Sequence, residues 1–522
     1  MKKRSVWRRI RVSMPSVAPS RNFSRRGRAT TTRGLAVSAA AFGLALLTWM
    51  APVSHAQAAE IRLRSRTVGE GYMVRIPGRR DLLYTRRRLA QYVNLGVYDL
   101  LPPKDARRFH RDPKEGQLEI VTSMRLRHDF GTFQRGGLNP SATLIDTTDG
   151  RQIDLLYGYL QGRNIARWVD FRVGRQFEMS GLDWFAFDGG WLRVRTPAHL
   201  AIEAFGGFEV KGTHRFGGPD FELDGDAGTP ANRAVSPMLG AAVALAGFST
   251  VSARLAYRRV FTPAALARDI ALDDGDRGLS SGVDQEIVSA SISMRLADGQ
   301  LNPFLSARYN LGTVQLDDVA VGAHWALTDM HALRVQYLRI RPSFDLDSIF
   351  NVFALQAFND VRASYSVRPD RRWTIEARGR LRLFEQQSTS RSEEPPLENT
   401  AKGYGGGAAL SFQDPRFSFR LDGYGLGGEG GGRGGANLDT RTALFWGRLN
   451  LDGRVFYMQY ADDLNDARRG YSVALQLGIN APLWKGVQLD LVGEELLTPF
   501  HRHAFRTLMV LTLDWSMRGG SR

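Results

Sequence analysis

Cysteine is absent from all 522 residues. Its absence excludes a disulfide framework, thiol nucleophiles and cysteine-ligated metals. Lysine is scarce: of 70 basic residues, 7 are lysine and 63 arginine. With abundant Ala and Gly, this bias fits a GC-rich genome better than a specialised anion binder. Long apolar runs are missing except at one place, and the mean hydropathy is -0.27. Beyond that place, the chain therefore carries no segment of the ~20 apolar residues that a membrane-crossing helix needs.

The exception is GLAVSAAAFGLALLTWM, Gly34 to Met50, which follows a basic stretch and precedes APVSHAQAAE. A positive n-region, an apolar h-region and small residues at Ser54, Ala56 and Ala58 predict a secretory signal peptide over 1–56, cleaved near residue 56. Removing it takes eleven Lys or Arg and no acid, so the formal charge falls from +17 to +6. An exported chain without a recognition helix or zinc motif is not expected to bind nucleic acid.

In residues 79–101, Leu82, Leu89, Val93, Val97 and Leu100 recur at spacings of seven, four, four and three. This predicts a helix closed by Pro102-Pro103, within a 57–115 segment that sits in the periplasm or plugs a lumen. From Gln117 to Trp515 the period is two. QLEIVTSMRLRHDF, STVSARLAYRR, LSARYNL, VRASYSVR and GYSVALQLGIN each set an apolar row against a polar one. In RWTIEARGRLRLFE the polar row holds Arg378, Arg380 and Arg382 in succession. Strand side chains alternate between faces, so these are ribbons with one oily and one charged side.

Connections alternate as well. Short ones (162–165, 196–199, 248–250, 298–303, 368–372, 413–416, 452–453, 481–486) fall between long, polar ones (131–150, 212–236, 262–284, 386–403, 425–440). The pattern predicts an all-β fold: a transmembrane up-and-down antiparallel β-barrel of about 18 strands (range 16 to 20) over 116–516, with a 517–522 tail. Charge on the lipid side would cost ~2–4 kcal/mol per Arg at mid-bilayer, so the charged rows belong inside. The expected lumen-lining set is Arg125, Arg127, Arg172, Arg254, Arg258, Arg308, Arg334, Arg362, Arg378, Arg380, Arg382, Arg420, Arg448 and Arg506. Fewer acids share those faces: Glu119, Asp129, Asp170, Glu203, Glu209, Glu376, Asp422, Asp490 and Glu494. An arginine surplus biases a pore toward anions.

YGYLQGRNIARWVDFRVGRQFE (157–178), DWFAFDGGWLRV (183–194) and the final FRTLMVLTLDW (505–515) resemble segments of Gram-negative outer-membrane porin-like β-barrels. A weaker resemblance is to outer-membrane polysaccharide-export barrels. It implies outer-membrane lipid and the barrel-assembly machinery as partners, with Trp515 as the assembly signal. The SMRGGSR tail after Trp515 departs from the usual aromatic end.

Catalysis finds no support. There is no HExxH pair, LDDGDRG (272–278) lacks the Glu a calcium loop requires because Gln285 stands there, and GGEGGGRGG (427–435) lacks the ending of a phosphate loop and reads as an external loop. No enzyme and no cofactor is expected. The leading expectation is a channel for polar, preferably anionic, solutes. The alternatives are an exit barrel for an acidic polysaccharide with a periplasmic export partner, and a structural or adhesive surface barrel with a closed lumen.

Overall fold

A computed structural model of the chain describes residues 60–75, 83–101, 115–135, 150–210, 236–261, 283–341, 357–384, 402–428, 431–461, 469–499 and 503–518. The expected signal peptide and most long connections lie outside the described residues. The described residues form one antiparallel sheet of 22 strands. These are β1 (Glu60–Arg75), β2 (Leu83–Tyr98), β3 (Gln117–Arg135), β4 (Gly150–Ile165), β5 (Val169–Ser180), β6 (Asp183–Arg195), β7 (Leu200–Glu209) and β8 (Ser236–Leu245). Then come β9 (Val251–Phe261), β10 (Val283–Met294), β11 (Leu301–Asn310), β12 (Gln315–Ala326), β13 (His331–Ile340), β14 (Phe358–Val367) and β15 (Trp373–Phe384). The series ends with β16 (Lys402–Gln413), β17 (Phe417–Gly428), β18 (Gly432–Leu444), β19 (Leu449–Ala461), β20 (Gly470–Trp484), β21 (Val487–Leu497) and β22 (His503–Arg518). Each strand pairs with its sequence neighbours, and β1 pairs with β22 from Glu60↔Arg518 to Arg75↔His503, so the sheet closes on itself.

The wall departs from the sequence expectations in several places. The strand count is 22, not about 18. Among the described residues of 79–101 no helix forms: residues 83–98 are β2, and with β1 they place the described strands of the 57–115 segment in the wall, where a periplasmic segment or a plug is expected from the sequence. The spacing of four that suggested a helix suits a strand equally well, because four is even: Leu89, Val93, Leu95 and Val97 share one face, and Ala90, Tyr92, Asn94 and Tyr98 the other. In the Gly-rich 425–440 stretch, residues 425–428 and 432–440 are not loop but the facing ends of β17 and β18, and residues 452–453 lie inside β19, whose preceding turn is at 445–448. The final strand runs to Arg518, so the tail loses Met517 and Arg518 to the wall.

The barrel ends differ. The end that carries Glu60 and Arg518 turns through 166–168, 196–199, 246–250, 295–300, 327–330, 368–372, 414–416, 445–448 and 485–486, with 99–116 as its one longer link. The other end holds 136–149, 210–235, 262–282, 341–357 and 385–401, together with the tight turns 181–182 and 311–314.

Side chains of second-neighbour strands converge only on the concave face of a closed sheet. Arg378 of β15 reaches Asp422 of β17 at 2.5 Å, and Tyr157 of β4 reaches Asn94 of β2 at 3.5 Å. The arginine-bearing face is therefore the inner one. The outer face exposes Val173, Leu192, Ile202, Leu239, Val243, Leu255, Val335, Leu381 and Leu475. A closed ladder with an apolar exterior satisfies its backbone internally and suits a bilayer.

One hairpin leaves this wall. Gly174, Gly189 and Gly207 stand in register across β5, β6 and β7. A Cβ at Gly174 would lie 2.2 Å from the Gly158 carbonyl oxygen, and its φ of +129° belongs to glycine. Beyond this row the β5–β6 hairpin folds inward, and its tip residue Gly181 packs on Ser291 and Ser306 of β10 and β11. From Gly189 to Leu182 the strand spans roughly 23 Å at ~3.3 Å per residue, enough to cross the roughly 19 Å between β6 and β10. The hairpin thus lies across the inner face of β7–β10. Phe185 and Phe187 meet Phe205, Met238 and Val260 there in a dry cluster, with Phe187 and Val260 at 0% exposure.

Candidate functional site

Arginine is spread over the inner face, yet its neighbours divide it into two environments. The first lies under the folded hairpin. Arg258 donates to Asp183 through Nε and Nη2 (both 3.0 Å) and to Gln285 at 3.0 Å, with Glu209 at 3.4 Å and the Phe185 ring 4.7 Å away. Arg254 bridges Glu203 at 2.6 Å and Glu178 at 3.4 Å. Arg172 meets Glu178 at 2.7 Å and stacks 4.6 Å over Trp191. Each of these arginines faces at least one carboxylate, so the charge is spent holding the hairpin to the wall.

The second environment lies on β14–β17. Asp360, fully buried, accepts from three guanidiniums: Arg380 (Nε at 2.9 Å to both oxygens, Nη2 at 2.5 Å), Arg382 at 2.9 Å and Arg362 at 2.9 Å. Three cations around one anion leave two positive charges uncompensated within the cluster. Arg382 is clamped by rings, 3.9 Å from Phe358 and 5.7 Å from Phe384, which stiffens it without cancelling its charge. Next to it Arg378 and Arg420 share Glu376 and Asp422, with Arg420 at 2.9 Å from Glu376 and 3.3 Å from Asp422. Opposite Arg378, Arg380 and Arg382 in register stand Gly407, Gly405 and Gly403, so no side chain fills the space across from them. A cavity of about 460 Å³ opens there, lined by Arg334, Gln336, Arg362, Arg380, Gly405, Gly407 and Tyr424. Nearer the short-turn end Arg334 also lines a cavity of about 640 Å³ with Arg295, Arg368, His324 and Phe304.

Of the fourteen arginines read from the pattern, thirteen lie on the inner-face register positions. Arg125 meets Asp154 at 2.7 Å, Arg308 meets Asp318 at 2.7 Å and Arg506 meets Glu70 at 2.9 Å. Arg127 pairs in register with Ala90. Arg448 is a correction: it caps the 3-10 turn Phe445–Gly447 between β18 and β19, because the strand starts only at Leu449. Trp515 lies opposite Leu63 on the outward side of the β1–β22 seam.

The pattern missed two features. Arg62, Arg64 and Arg66 of β1 stand opposite Gly96, Asn94 and Tyr92 on the inner face, repeating the alternate spacing of 378, 380 and 382. The signal is present in IRLRSRT, but the helical spacing of 79–101 assigns 57–115 to a separate segment. Asp360, the hub of the second environment, stands one residue before the run VRASYSVR, outside the stretch whose alternation marks the inner-face acids.

No family model and no curated protein matches the chain. Among solved structures it is similar to OccK7 (OpdD) of Pseudomonas aeruginosa at 10% identity and TM-score 0.41, covering 88% of this chain and 100% of that one. It is also similar to OpdK of Pseudomonas aeruginosa solved with vanillate (11% identity, TM-score 0.40, 88% of this chain and 99% of that one). A third is a BenF-like porin from Pseudomonas fluorescens Pf-5 (11% identity, TM-score 0.38, 88% of this chain and 99% of that one).

Proposed function

We propose that the chain is an outer-membrane channel that passes small polar solutes and favours anions. The observation that carries this reading is the Asp360 cluster: one buried carboxylate fixes Arg362, Arg380 and Arg382 on the inner wall, and two positive charges remain to face the lumen. A 22-strand circumference encloses more space than wall side chains fill. Here the folded hairpin occupies part of that space against β7–β10 with its tip at β10 and β11, while the Asp360 cluster lies on β14 and β15.

The mechanism follows from charge and rigidity. Guanidiniums already held by Asp360 and the Phe358 ring need little reordering to meet an anion, so an incoming solute exchanges water for preset donors. Because the ring of donors is divided among several strands, each contact is weak enough to release, which conduction requires. Export through the 1–56 leader, and Trp515 as the mark read by the assembly machinery, belong to the same proposal.

Planar-bilayer recording of the leader-free protein tests it. Under a tenfold KCl gradient the reversal potential should lie on the chloride side and move toward zero when Arg362, Arg380 and Arg382 are changed to Gln. A closed barrel, or a potential on the potassium side, refutes the reading.

A further inference from the structure

Folding the hairpin inward has a consequence for the wall it leaves. The β4 strand continues to Gly150, paired with β3 as far as Asp129↔Gly150, but its ladder to β5 stops at Gly158↔Arg175. Among the described residues, no strand lies along the β5 side of 150–157. This edge is not above the membrane surface, since Ile153, 54% exposed, and Leu155 both point outward from it in the apolar register of Leu126 and Met124.

An open edge at that depth is tolerated only where it borders a cavity or is capped. One cap is visible. Arg175 donates through Nη1 to the Leu155 carbonyl at 2.9 Å while its Nε and Nη2 hold Asp188 at 2.7 and 2.6 Å. It takes the place of a ladder donor at the sill of the opening.

The hairpin itself supplies the second, independent observation. Its wall-side residues, Asp183, Phe185 and Phe187, are buried. Its other face would have met lipid in an ordinary wall strand but now looks into the barrel, where Phe177, Met179 and Trp184 stand 45%, 66% and 67% exposed. Tyr157, on the inner side of the β4 edge, touches Phe177 edge-on with ring centroids 5.9 Å apart. An apolar shelf therefore begins at the opening and runs into a lumen that is otherwise polar.

We infer that the opening beside β4 is a lateral window between lumen and bilayer, and that the Phe177–Met179–Trp184 shelf behind it binds the hydrocarbon chain of a single-chain anionic amphiphile. The chain lies on the shelf, where covering each exposed side chain gains roughly 25 cal/mol per Å² of apolar surface. The head faces the lumen, whose positive field comes from the unmatched arginines around Asp360. This goes beyond the channel for small polar solutes, because it adds a class of solute that comes from the lipid phase.

Photolabelling tests it in proteoliposomes of the leader-free chain, using dodecanoate with a terminal alkyl diazirine as the probe. Adducts mapped by mass spectrometry should fall on 177–184. They should drop at least tenfold in a Met179→Glu, Trp184→Glu double variant, whose exposed positions leave folding intact by heat-modifiable gel mobility. A dodecyl trimethylammonium diazirine should label the same span at least fivefold less. Adducts confined to outward residues such as Leu192 and Ile202, or equal labelling in the double variant, would overturn the site. KCl conductance is read in separate bilayers, so this inference and the channel reading can fail independently.

Discussion

The inner face has two sides that use the same residue type for opposite ends. Under the hairpin, Arg258 sits between Asp183 and Glu209, and Arg254 between Glu178 and Glu203, all of them nearly dry. On β14–β15 three arginines share Asp360 alone. The lesson is that an arginine is a fastener where carboxylates match it one for one and a field source where they do not. Position in the strand pattern looks identical in both cases, so function is set by what crosses over to meet each guanidinium.

The largest effect that would separate the two sides is on stability. Phe187→Ala empties a fully buried site in the hairpin cluster and should cost about 3–5 kcal/mol, read by urea unfolding from vesicles with no change of ion selectivity if folding survives. Arg258→Ala leaves Asp183 buried without its cation, and a similar loss of about 3–5 kcal/mol is expected. If either variant unfolded like the wild type, the hairpin would not be fastened as described.

Smaller in stability but larger in current is Asp360→Asn. It removes the one carboxylate from the three-arginine cluster, so the reversal potential should move further to the chloride side, at a cost of about 1–3 kcal/mol in unfolding free energy. An unchanged potential would show that these arginines do not face the conducting path. The smallest effect belongs to Arg64→Ala on β1. Its partner Asp514 is 3.7 Å away and both are well exposed, so the stability change should stay below about 1 kcal/mol. A change above 2 kcal/mol would place β1 on the fastened side of the comparison.

Much of this is legible in the sequence. Strict alternation in WTIEARGRLRLF or YSVALQLGIN can satisfy only a strand with two unlike faces, and both are strands. Alternation fails as a guide where glycine replaces the apolar half, which is why the facing ends of β17 and β18 read as a loop. It fails again where even spacings serve helix and strand alike, as in β2. The division between fastening and field-producing arginines could not be read at all. The partners that decide it sit one or two strands away, and the hairpin that brings Asp183 to Arg258 breaks the neighbour rule of the barrel.

The seam between β1 and β22 has a kinetic meaning. It joins residues 458 apart in the chain, as in the Arg518 contact with Glu60, and closing a loop that long costs on the order of 5 kcal/mol of chain entropy. Until the last strand arrives, the first keeps an unsatisfied edge along its whole length, a site for wrong pairing with another copy. Biogenesis of this protein is therefore a race between closure and aggregation, decided by the last sixteen residues to be made into wall.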